Sequence, residues 1–257
     1  MIKDMRPSRV LRKLRAGEVA ISMKMNLKDA RAFDIAARSG FDCLWTGLEH
    51  IANDWSDVEH AVYVAKAHDV DLLCRVARGS YSDYIRPLEL DAAGIMVPHV
   101  MGAEDAREVV RRVRFAPVGR RALDGGNADG AYCNLPVTDY LEQANRERFV
   151  ILQIEDPEAM EVLDDIAAVE GYDMLFFGAS DYSNAIGLIH DMNHPRIQEA
   201  RKRVVEAARA HGKFAGCMLA GFELRELVEM GYSFINVGCD VVGLSEYCRE
   251  LAIKNTG

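Results

Sequence analysis

What this 257-residue chain lacks narrows it first. No apolar run reaches the roughly 18 residues that a membrane-spanning helix needs. Met1–Gly17 is basic but has no apolar segment of the secretory kind, so a helix or a surface arm is expected there. Six cysteines (Cys43, Cys74, Cys133, Cys217, Cys239 and Cys248) form no C-x-x-C pair. Inside apolar runs cysteine acts as a small hydrophobe, and the simplest reading is a reduced, cytoplasmic protein. Positive charge is short as well. A net charge of −9 opposes nucleic acid and anionic membrane as partners. The arginines at 107, 111, 112 and 114 alternate with Glu104, Asp105 and Glu108, which reads as a solvated helix face. There is no G-x-G-x-x-G turn, which weakens a doubly wound dinucleotide fold, and no G-K-[ST] phosphate loop.

What is present is a repeat of strand then helix. Strands are expected at 19–23, 42–46, 70–76, 94–97, 149–154, 174–177, 213–217 and 233–237. Helices are expected at 27–39, 57–68, 83–92, 103–114, 138–148, 158–168, 195–210, 222–230 and 241–251. The strand runs are apolar without alternation, as in parallel strands covered on both faces. Eight such units in a chain of this length indicate a (β/α)₈ TIM-type barrel as a single domain over 1–257, with an open sheet as the alternative. Residues 116–136 interrupt the rhythm with Gly119, Gly125, Gly126, Asn127 and Gly130. A lid or an interface loop is expected, a plain surface loop being the alternative.

Val150 to Ser183 carries the chemistry. Two apolar runs each end near an acid, at Glu155-Asp156-Pro157 and at Gly178-Ala179-Ser180-Asp181. Acids after strands often cap the next helix, and Asp156 or Asp181 could do only that. In a barrel, however, strand ends converge on one mouth. There the sequence delivers Glu49 and His50, Arg75, Pro98-His99, Gln153 and Glu155, then Gly178, Ser180 and Asp181. Two carboxylates suit a hard divalent cation that leaves positions for a 2-oxo acid. A Lewis acid there, a fixed guanidinium at the developing oxyanion and a histidine titrating near neutrality make and break a C–C bond beside an enolate.

Gly40-Phe41-Asp42 leading to Glu49-His50, the strand end at Arg75, and Gly94-Ile95-Met96-Val97-Pro98-His99-Val100 form one group of motifs. Gln153-Ile154-Glu155-Asp156-Pro157-Glu158, Gly178-Ala179-Ser180-Asp181-Tyr182-Ser183 and Asn193-His194-Pro195 complete it. Together, over about residues 40–240, they resemble the HpcH/HpaI family of metal-dependent (class II) pyruvate aldolases. The resemblance implies cleavage of a 2-oxo-3-deoxy or 4-hydroxy-2-oxo acid into pyruvate, or a related 2-oxo acid, and an aldehyde. It implies Mg²⁺, Mn²⁺ or Co²⁺ on Glu155 and Asp181, an enolate-stabilising Arg75 and proton transfer by His50. It further implies Glu49 near the metal waters, Gln153 orienting the oxo acid, Gly178 and Ser180 at the substrate, and Asp91 assisting the histidine. A hexamer, as a trimer of dimers with a swapped C-terminal helix, is also implied.

The chain departs from that pattern. Gly47-Leu48 stands where the family has Asp-Gly, so the acid expected beside the histidine is missing. Asp124 and Asp129 lie near where relatives often carry an arginine that reads the aldehyde. A different aldehyde, or decarboxylation of a 3-oxo acid, follows as an alternative. Two further readings compete: a Schiff-base enzyme using Lys24, and a non-catalytic oxo-acid-binding relative.

Overall fold

Eight short runs of Leu, Ile, Val, Phe and Met become strands because covering helices bury them on both faces. They are β1 (Ala20–Lys24), β2 (Cys43–Gly47), β3 (Asp71–Arg75), β4 (Gly94–Val97), β5 (Phe149–Ile154), β6 (Met174–Phe177), β7 (Phe214–Met218) and β8 (Phe234–Cys239). The computed structural model describes residues 4–189 and 191–256. The first three residues of the basic Met1–Gly17 segment lie outside that range. Each strand pairs in parallel with the next, and β8 pairs with β1, so the sheet closes into a barrel in sequence order. The (β/α)₈ expectation is borne out, and the open-sheet alternative is excluded.

Side chains alternate between the barrel interior and the helix-covered outside. Ala20, Cys43, Trp45, Leu73, Met96, Phe149, Ile151, Met174, Phe176 and Phe234 form the inner core. Trp45 and Phe176 meet edge to face at 5.6 Å and floor the carboxyl end of the barrel. The outer layer packs the strands' other faces against the helices, Ala103–Val113 and Pro195–Ala210 among them.

The basic N-terminal segment resolves as a helix, Arg9–Arg15. Val10, Leu11 and Leu14 join the inner core from the amino-terminal end of the barrel. Two buried strand-start acids hold the segment there. Asp71 accepts hydrogen bonds from Ser8 Oγ (2.6 Å) and the Val10 N–H (2.9 Å). Asp42 accepts from Arg9 Nε (2.9 Å), Lys13 Nζ (2.8 Å) and the Ile21 N–H (3.0 Å).

Two local expectations are refined. The run 158–168 is two short helices, Pro157–Glu161 and Leu163–Ala167. The segment after β6 turns straight into a helix, Ala179–Ala185. Loop 116–136 carries an internal clamp. Arg121 Nη2 and the Tyr140 hydroxyl both donate to Asp129 Oδ2, at 2.8 and 2.7 Å, inside the fold. The loop is also tied to the helix Tyr81–Glu89, which precedes β4: the Ala122 N–H donates to the Tyr81 hydroxyl (2.6 Å), and the Asp129 N–H to the Glu89 carbonyl (3.4 Å). These bonds hold the loop against that helix. Val118, Leu123 and Tyr132 remain exposed along it, and so does Val137 at the start of the next helix.

Candidate active site

The carboxyl ends of β2 to β6 bring most of the expected residues together. Arg75 lies at the end of β3 on the inward-facing parity of Leu73, and its guanidinium stands 5.5 Å over the Trp45 ring. Glu49, in the loop after β2, holds it with Oε2 at 2.9 Å from Nε. Gly47 is the closest approach of the two strands' ends, since a Cβ there would meet the Arg75 carbonyl oxygen at 3.1 Å. Asn53 Nδ2 caps this turn by donating to Thr46 Oγ1 (2.9 Å) and to the Gly47 carbonyl (3.2 Å).

Glu155 is the buried centre of the site. Its Oε1 accepts the His99 N–H at 2.9 Å, and its Oε2 accepts from Gln153 Nε2. Burial pushes the carboxyl up to about 7. The N–H and charge of His99 oppose that shift, and nearby Asp181 adds to it. Gly178 closes the site from β6. A Cβ there would stand 2.5 Å from Glu155 Oε2 and 3.0 Å from Gln153 Nε2, so only glycine leaves the carboxylate its place. Ser180 and Asp181 follow in the first turn of the next helix, both exposed to solvent.

His99 is the residue whose weight the sequence understated. It follows Pro98 at the end of β4 with φ of 49°, a left-handed turn that aims its N–H at Glu155. Its Nδ1 lies 2.9 Å from Asp156 Oδ2, and its Nε2 3.8 Å from Glu49 Oε1. Partial burial works against its protonation, but Asp156 and Glu155 outweigh this and raise its pKa. Asp156 is thus spent on His99 rather than on a helix cap, and it makes no side-chain cap bond. The only signal for this in the sequence was the pair Pro98-His99 at a strand end.

Two expected residues stand apart. His50 sits at the lip, largely exposed, with Nε2 3.9 Å from Glu49 Oε2. Asp91 lies before the start of β4, at the amino-terminal end, and is neutralised there by Lys66 and Arg148. Within one protomer the fold therefore does not bring Asp91 to His50, because strand starts and strand ends occupy opposite ends of the barrel.

Among the described residues no three His, Cys, Asp or Glu side chains surround one point. The charge of Asp181 reaches Glu155 and raises its pKa, and Gln153 Oε1, two residues before Glu155, is buried without a partner. An all-oxygen set of this kind suits a hard ion that keeps several water or ligand positions.

The family model described as HpcH/HpaI aldolase/citrate lyase matches residues 21–246. The chain is similar to the hydroxypyruvate/pyruvate aldolase of Pseudomonas aeruginosa, with 33% identity over 255 residues, covering 99% of this chain and 95% of that one. It is similar to the 2-keto-3-deoxy-L-rhamnonate aldolase of Klebsiella pneumoniae, with 32% identity, covering 90% and 86%. Among solved structures, an HpcH/HpaI aldolase from Desulfitobacterium hafniense superposes with a TM-score of 0.89 at 30% identity, covering 95% of each chain.

Proposed function

The chain belongs to the HpcH/HpaI aldolase/citrate lyase family, and from that premise we propose that its mouth cleaves a 4-hydroxy-2-oxo or 2-oxo-3-deoxy acid, with Glu155 and Asp181 as the metal-holding pair. The protein is a carbon–carbon lyase of the aldolase kind. The observation that carries the site assignment is the buried Glu155 carboxylate, held by the His99 N–H and Gln153, beneath a Gly178 that admits no side chain.

Glu155 and Asp181 would hold a divalent cation of the kind this family generally requires, and it would supply Lewis acidity toward a 2-oxo acid. The side chains supply the rest. Cleavage removes the proton of the C4 hydroxyl and breaks the C3–C4 bond, and the electron pair moves onto the C2 oxygen as the aldehyde leaves. Arg75, fixed by Glu49 and the Trp45 face, offers a preorganised positive charge to that oxygen. Gln153, fixed at the end of β5 by its Nε2 bond to Glu155, orients the oxo acid beside that carboxylate. His50, exposed at the lip, takes the C4 hydroxyl proton, and a proton delivered from solvent to C3 of the enolate completes pyruvate. Glu49 links the two by holding Arg75 and facing His50. Gly178 and Ser180 line the substrate's entry.

The chain acts as one catalytic domain, and it works as a homo-oligomer, for which the hexamer with swapped C-terminal helices is the form proposed. The helix Asp240–Thr256 supports this, with Val242, Leu244, Tyr247, Leu251 and Ile253 all exposed. Six free thiols support a reducing, cytoplasmic setting, and no helix among the described residues is long and apolar enough to cross a membrane. The test of function is pyruvate release from a panel of 4-hydroxy-2-oxo acids. It should stop on exhaustive chelation and return with Mn²⁺, Mg²⁺ or Co²⁺. Undiminished turnover after chelation refutes the metal assignment, and silence across the panel refutes the aldol reading.

A further inference from the structure

Lys24 ends β1, on the same parity as Ala20 and Ser22, which are buried inside the barrel. It therefore belongs to the uppermost inward layer, with Arg75 and Gln153. Its Nζ stands 5.5 Å from the centre of the Trp45 ring, and the Arg75 guanidinium stands at 5.5 Å from the same ring. The two cations share one aromatic floor. The β1–β8 register slips between Ser22 and Met23, so that Lys24 lies opposite Cys239. The extra residue of that slip is Val237 on β8, so β1 keeps its alternation and Lys24 stays on the inward parity.

The other cations of the mouth have carboxylate partners. Arg75 is matched by Glu49 at 2.9 Å, and His99 by Asp156 at 2.9 Å. Among the described residues no carboxylate is in ion-pair contact with Lys24; Asp181 and Glu49 act on it only from farther off. Of the two arginines in loop 116–136, Arg121 is spent on Asp129 within the clamp, and Arg120 lies beside Arg111 and Glu170.

We propose that Lys24 is the cation that binds a second carboxylate of the substrate, so that the aldehyde half handled by this enzyme is itself an anion. This rests on the aldol reading above, and it names the substrate class. A half-buried ammonium pressed by a second cation gains more from an arriving anion than a solvated lysine does. Burial, and then Arg75, lower the Lys24 pKa.

The test uses the metal-loaded enzyme and two aldehydes of equal chain length, glyoxylate and glycolaldehyde, each added to pyruvate. The wild type should favour glyoxylate in kcat/KM. In Lys24→Met that preference should fall about ten- to a hundredfold, the range for a charged hydrogen bond, and Lys24→Arg should recover most of it. An unchanged preference overturns the proposal. So does a borohydride-trapped adduct at Lys24, which would make it a nucleophile instead.

Calorimetric titration with malonate and with propionate, which differ by one carboxylate, gives a second readout. Lys24→Met should weaken malonate selectively. If the wild type turns over neither aldehyde, the aldol reading fails by itself, and the malonate titration still decides the role of Lys24. An equal weakening of both acids, or a change confined to metal affinity, assigns Lys24 to charge balance and overturns the proposal.

Discussion

Gly178 and Glu155 are in steric register: a Cβ on the first would stand 2.5 Å from a carboxylate oxygen of the second. The glycine is part of the site's geometry, although it carries no functional group.

Gly178→Ala should therefore act on the site rather than on the fold. Something must shift, and the Glu155 carboxylate is what the new methyl meets first. A displacement of about 1 Å in a positioned group costs roughly a hundredfold in turnover. The expected result is that loss in kcat, together with weakened Mn²⁺ binding by calorimetry. A variant with wild-type metal affinity and turnover would show that Glu155 is not held where the site needs it.

Asp42 should make stability depend on pH. Burial opposes its charge, but Lys13, the Ile21 N–H and Arg9 outweigh that and hold its carboxyl below the ordinary range. A depressed folded pKa stabilises above the unfolded value, about 3.9, and the stabilisation is lost as pH falls through the folded value. Asp42→Asn should cost about 2 kcal/mol at pH 7, since it strips the N-terminal helix of a buried anchor. Urea melts of the two proteins should differ by a constant amount above about pH 5 and converge below about pH 4. A gap that persists unchanged at pH 3 would rule this ionic anchor out.

The C-terminal helix should govern assembly. Leu244, Tyr247 and Leu251 fall at helical spacing and are exposed, and an apolar stripe of that kind is normally covered. Light scattering should find an oligomer for the wild type and a smaller species for Leu244→Asp/Leu251→Asp. A wild type that is monomeric at micromolar concentration would remove the basis for a swapped helix.

The barrel was legible because parallel strands covered on both faces are written as unbroken apolar runs. Gly94–Val97, Phe149–Ile154 and Met174–Phe177 have the expected bounds, and the other strands moved by one or two residues. The convergence of Arg75, Gln153 and Glu155 was legible for a related reason: a closed barrel gathers every strand's end. Less legible was anything set by a turn. His99 reaches Glu155 through a positive φ, and nothing in its own side chain announces that.

The amino-acid order by itself thus determined the strand count, the closure they permit and the acidic, metal-suited character of the mouth, because these follow from local patterning. Only the tertiary structure decided which groups meet. It set Glu49 on Arg75 and His99 on Asp156, left Asp91 with Lys66 and Arg148 at the far end, and placed Lys24 over Trp45 without an ion pair. Those pairings depend on strand parity, a register slip and backbone turns between distant segments, and no local stretch of sequence encodes them alone.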